Sequence, residues 1–160
     1  MNNNSQNKLE ELVSFGKEII SLCKENGVTP IIYGSYLFRH YTKDKMIIPH
    51  DIDFYVPEGC HEKIIAILKK RKMKYKYLEQ WHCLMIYKGG LKVDLDSIDF
   101  LYKGPKDFKN FYFGGVKIKC LSLDGLISVY KMSIGLSDEP EKNKARYEAL
   151  QARQLNKNSS

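Results

Sequence analysis

His50-Asp-Ile-Asp-Phe-Tyr-Val56 is the stretch whose reading decides the fold. Acidic and apolar residues alternate in it, and side chains two apart on a strand project to one face. Asp51 and Asp53 therefore point together, while Ile52 and Phe54 point into a core, and Pro57-Glu-Gly59 closes the strand. Two carboxylates held this close repel each other unless a cation neutralises them. Mg²⁺, which takes oxygen ligands and keeps several waters, is the natural partner and can bridge to phosphates.

Upstream, Pro30-Ile-Ile-Tyr33 reads as a short apolar strand that runs into Gly34-Ser35, after which Tyr36 to Tyr41 form one or two helical turns. Glycine lets the backbone approach a phosphate closely, and the N–H groups opening a helix can grip its oxygens together with the serine hydroxyl. Arg39 and His40 follow within about a turn, where a positive side chain steadies a terminal phosphate or an acceptor. Downstream, Lys92-Val-Asp-Leu-Asp-Ser-Ile98 repeats the alternation and offers Asp94 as a third carboxylate, with Asp96 on the same face as the alternative. Metals shared by such acids can clamp both the attacking and the leaving oxygen of an in-line displacement. His50 either orients Asp51 or is a charge neighbour only.

The remaining periodicities predict helices over residues 6 to 26 and 60 to 72, and strands at 75 to 78, 82 to 87 and 91 to 100, the last two joined by a Lys88-Gly-Gly90 turn. A strand or hairpin around Gly114-Gly115 spans 111 to 121, a helix opens at Ser122 and reaches about Ile134, and a charged helix runs from Ser137 or Asp138 to about Arg153. Residues 1 to 5 and 156 to 160 are expected to fray. The chain of 160 residues, 43% of them hydrophobic, is sized for one core. The expected architecture is a single α/β (α+β) domain over 1 to 160, with a short mixed β-sheet flanked by helices and two C-terminal helices.

Apolar runs are only a few residues long, so no membrane partner and a cytoplasmic location are expected. Cys23, Cys60, Cys83 and Cys120 are scattered and read as reduced thiols. A formal charge of +7 points to an anionic partner, and nucleotide phosphates and nucleic acid both satisfy it. The densest basic block, Lys69 to Lys76 with Tyr75, Tyr77 and Trp81 nearby, is either a solvated helix end or a phosphate or RNA contact. Tyr36, Tyr55, Tyr87 and Trp81 are either sheet-face residues or stacking platforms for a base or a drug-like acceptor.

In this order, Ile32-Tyr-Gly-Ser35, His50-Asp-Ile-Asp-Phe54 and Lys92-Val-Asp-Leu95 resemble the glycine-serine motif, paired aspartates and third acid of the minimal nucleotidyltransferases of the DNA polymerase β-like superfamily. The resemblance covers residues 30 to 96. It extends more loosely to about 150, because Val116-Lys-Ile-Lys-Cys-Leu-Ser122, leading into a helix with Lys131, is similar to small single-domain members that include lincosamide nucleotidyltransferases. Lys144-Ala-Arg146 faintly echoes an Arg-Lys-Asp pattern that ends some relatives, whereas Ser35 stands where many antibiotic-modifying members carry a second glycine.

The resemblance implies that Gly34 and Ser35, with Lys131, contact the triphosphate, beside the Arg39 read from its position on the same helix, that Asp51 and Asp53 hold one or two Mg²⁺, and that Asp94 is third ligand and general base. It implies Mg²⁺-dependent transfer of a nucleoside monophosphate from a nucleoside triphosphate, ATP first, to an acceptor hydroxyl. The acceptor is a small molecule such as an antibiotic, or tRNA or protein as in toxin-type members; a non-catalytic nucleotide-binding module is the third alternative. The chain is expected to be a monomer or homodimer.

Overall fold

Residues 3–159 are described by a computed structural model. A 23-residue helix, α1 (Asn3–Glu25), precedes β1 (Ile31–Tyr33), which passes directly into α2 (Gly34–Thr42). After a loop come β2 (Ile52–Val56), α3 (His61–Lys70), β3 (Lys74–Leu78), β4 (Cys83–Lys88) and β5 (Leu91–Ser97). A short turn of helix, α4 (Ile98–Leu101), leads to the hairpin of β6 (Lys109–Phe113) and β7 (Val116–Cys120), and the chain finishes with α5 (Leu123–Leu136) and α6 (Pro140–Asn158).

Among the described residues the strands form one seven-stranded mixed sheet, ordered β3-β4-β5-β2-β1-β7-β6. β2 lies parallel to β5 and antiparallel to β1, and β1 lies parallel to β7. Ile52, Phe54, Leu84, Ile86, Val93 and Leu95 line one face of the sheet and are fully buried. α1 packs against β2 and β5, and its Gly16 comes so close to Phe113 that an added Cβ would sit 2.8 Å from that ring. The opposite face carries the acids.

The predicted strand 91 to 100 is cut short at Ser97. That residue is fully buried, and its hydroxyl accepts from Phe100 N–H, which caps the first turn of α4 and satisfies a donor that a continuing strand would have had to pair. At the two ends of the chain, helix occupies residues 3 to 5 and 156 to 158, where fraying was expected; residues 1, 2 and 160 of those ends lie outside the described residues. α5 runs through Gly135 to Leu136, and Ser122 caps it by accepting from Gly125 N–H at 3.1 Å. No helix of the described residues is long and apolar enough to cross a membrane.

Candidate active site

β2 and β5 set the geometry. Their parallel register places Asp53 beside Asp94, and β1 pairs Tyr33 with Asp53, so the three central strands present these residues on one face. Residues Asp51, Asp53 and Asp94 each offer a carboxylate oxygen, and the three atoms lie within 4.8 Å of one another. Above them α2 begins at Gly34, whose φ is +69° and whose position leaves no room for a side chain: a Cβ there would lie 2.0 Å from Asp53 Oδ2. Glycine thus brings the start of the helix onto the acids.

Lys92 rises from β5 into the cluster, its ammonium 2.9 Å from Asp51 Oδ2 and 2.8 Å from Asp94 Oδ2. Burial opposes its charge, but the hydrogen bonds and charges of Asp94 and Asp51 together outweigh burial and hold its pKa above the ordinary lysine value. One lysine does not balance three acids. Burial, then the charges of Asp51, Asp94 and Asp96, push the Asp53 carboxyl well above the usual range, with Lys92 opposing. Burial likewise raises Asp94 to about 6 against the pull of Lys92. Asp94 Oδ1 is buried with no hydrogen-bond partner, a costly arrangement for a carboxylate oxygen.

Asp96 shares that face but is spoken for. Tyr33 donates its hydroxyl to Asp96 Oδ2, and Cys83 from β4 also bonds to it. The Tyr33 ring stacks on Tyr55 with centroids 3.8 Å apart, and Tyr102 packs on Tyr55 at 5.5 Å, so an aromatic layer flanks the acids. Burial raises the Asp96 pKa against those two hydrogen bonds.

At the start of α2, Ser35 Oγ accepts from Arg146 of α6 at 2.9 Å, and the same guanidinium nitrogen donates to Tyr130 of α5 at 3.2 Å. The guanidinium lies over the rings of Phe38 and Tyr130, at 5.3 and 5.6 Å from their centroids. Arg146 was not predicted as a site residue; 111 positions separate it from Ser35, and no local pattern announces that meeting.

The two cationic residues that were predicted stand elsewhere. Arg39 turns onto its own loop, donating from Nη1 to Lys45 O at 2.5 Å and Ile47 O at 2.6 Å. Lys131 is exposed on α5 and borders a hollow lined by Tyr102, Ser128 and Met132. His50 and His40 are exposed. The basic block is divided: Arg71 pairs with Glu25 at 2.8 Å, and Lys74 and Lys76 lie exposed on edge strand β3.

No family model matches the chain, and no curated protein matches it in sequence. Solved structures do. The antibiotic-resistance factor ANT(2'')-Ia is similar with a TM-score of 0.62 at 16% identity, covering 92% of this chain and 91% of that one. The chain has the nucleotidyltransferase fold. A lincosamide antibiotic adenylyltransferase, LnuA, solved with lincomycin bound, is similar with a TM-score of 0.56 at 15% identity over 85% of this chain and 94% of that one. So is an antigenic nucleotidyltransferase-like protein from Paracoccidioides brasiliensis, with a TM-score of 0.60 at 11% identity over 88% and 75%.

Within the nucleotidyltransferase fold the acids are suited to a hard divalent cation: they are all-oxygen donors, negative beyond what Lys92 balances, and one buried oxygen has a free lone pair facing no donor. Lys92 was legible as a member of the same face, because it precedes Asp94 by two residues on one strand.

Proposed function

We propose that this protein is a metal-dependent nucleotidyltransferase that moves a nucleoside monophosphate from a nucleoside triphosphate, ATP first, to an acceptor hydroxyl, with release of pyrophosphate. The observation that carries this reading is the convergence of Asp51, Asp53 and Asp94 directly beneath the start of α2. Mg²⁺ held by these three carboxylates supplies neutralisation of the phosphate charge that develops during transfer.

The chain's own residues do the rest. Gly34 allows the triphosphate to approach the backbone, and the α2 N–H groups with the Ser35 hydroxyl hold its oxygens. Arg146 positions Ser35 and adds positive charge on that side. Asp94 takes the acceptor hydroxyl proton. The free cysteines suit the reducing cytoplasm, where we place the reaction.

Our first choice of acceptor is a small hydroxylated molecule such as an antibiotic, which the fold's likeness to LnuA and ANT(2'')-Ia supports. The test is incubation with Mg²⁺ and ATP radiolabelled on the α-phosphate, together with either a panel of hydroxylated antibiotics or total cell RNA. Label on an acceptor with wild type but not with Asp53→Asn is expected. A folded protein that binds Mg²⁺-ATP yet labels nothing in either arm sinks the transferase reading in favour of a binding module.

A further inference from the structure

The C-terminal end of α2 holds a second feature. A cavity of about 280 Å³ is lined there by Arg39, Lys43 and Lys45, by His40, and by the rings of Phe111 and Tyr112 from β6; no carboxylate lines it. Tyr112 is 67% exposed, unusual for a large ring. The cations are presented by a built loop: Arg39 clamps the carbonyls of Lys45 and Ile47, and Asp44 spends its carboxylate on Met46 N–H at 2.9 Å. No acid pairs with Lys43 or Lys45 among the described residues. A helix dipole favours cations at the end of α2. It accounts neither for Lys45 on the loop nor for an exposed tyrosine delivered from a different element.

We propose that this cavity is a subsite for single-stranded nucleic acid, in which one unpaired base stacks on Tyr112 and the flanking phosphates lie against Lys43 and Lys45. Basic side chains interleaved with aromatic faces are what such strands need, because every base has a π-face and every linkage a charge. The net charge of +7 agrees in sign. Lys43 caps the C-terminus of α2 eight residues beyond Ser35, about 12 Å at 1.5 Å per residue, so a strand seated here passes within a few nucleotides of the acids. The subsite does not depend on the transferase reading, and it makes a strand-end hydroxyl an acceptor to be tested.

The experiment is fluorescence anisotropy of the full chain with a labelled twelve-nucleotide single-stranded RNA, its duplex and free AMP, between low and moderate salt. Wild type is expected to bind the single strand more tightly than the duplex or AMP. Lys43→Gln with Lys45→Gln reduces the slope of log K against log salt by about 1.4, at about 0.7 per phosphate. Tyr112→Ala weakens binding by about 5- to 150-fold, while Tyr112→Phe retains it. Lys70→Gln with Lys72→Gln and Asp51→Asn leave it unchanged, the latter separating this subsite from catalysis. The proposal is overturned by a wild type that does not bind the strand, by a duplex or AMP bound as tightly, by unchanged binding in the Lys43/Lys45 and Tyr112→Ala variants, or by loss in the Lys70/Lys72 variant.

Discussion

Arg146 donates a hydrogen bond to Ser35 at 2.9 Å, tying the last helix of the chain to the first residues of α2. The contact joins a charged donor to the hydroxyl proposed to hold triphosphate, and the guanidinium carbon lies 5.3 and 5.6 Å from the ring centroids of Phe38 and Tyr130. Arg146→Ala is expected to cost about 2 kcal/mol of stability, or about 5 °C in Tm, and to raise KM for ATP by about tenfold. Arg146→Lys keeps the charge but not the planar fork and should recover only part of both. Thermal melts and steady-state kinetics check this; a wild-type KM in Arg146→Ala would remove the residue from the nucleotide site.

Gly34→Ala places a methyl on Asp53 Oδ2 and puts a non-glycine residue at φ +69°. Either the helix start or the carboxylate must move, and a displacement of about 1 Å at a reacting centre costs about 100-fold in rate. Turnover should fall at least that far, with a stability loss above about 1 kcal/mol. An active Gly34→Ala enzyme would mean that the closeness of α2 to Asp53 is not needed.

Asp53→Asn separates function from stability. The carboxyl is raised by burial and by three neighbouring acids, so replacing it with a neutral isostere relieves repulsion in the metal-free protein. Turnover is expected to drop by about 1,000-fold or more, since metal neutralisation contributes several kcal/mol. The metal-free Tm is expected to rise. A lowered Tm in EDTA would show that the acid is a structural partner.

The same electrostatics give a pH dependence. A carboxylate whose folded pKa lies above its unfolded value binds protons more tightly in the native state, so native stability is greatest below the unfolded value and falls as pH rises through the folded one. For Asp94, raised from 3.8 to about 6, the window is about pH 4 to 6, and Asp53 shifts in the same direction. In EDTA the Tm should decline across that window. Mg²⁺ should restore more at pH 7.5 than at pH 4.5, because only ionised acids hold it. Equal Mg²⁺ effects at both values would rule out these acids as ligands.

Lys92 holds Asp51 Oδ2 and Asp94 Oδ2, on two of the three carboxylates proposed to bind the cation. Lys92→Met should lower the metal-free Tm and enlarge the Mg²⁺-induced rise. If the variant instead binds Mg²⁺ more weakly by calorimetry, the lysine organises the acids rather than competing for them.

What the sequence determined by itself is local and periodic. Alternation along Asp51-Ile-Asp53 and along Lys92-Val-Asp94 set which side chains share a face, because strand geometry has a period of two whatever the neighbours are. Glycine before Ser35 marked where the chain had to come close to the acids, and β1, α2, β2 and the β4-β5 hairpin follow from such signals. Tertiary structure decided the rest. Parallel pairing of β2 with β5 put Asp53 beside Asp94, Tyr33 and Cys83 claimed Asp96, and Ser97 ended β5 by capping α4. Arg39 was drawn to the carbonyls of its own loop, and Arg146 reached Ser35 from 111 residues away. Register and long-range packing depend on which elements become neighbours, and no periodicity within a single segment encodes that choice.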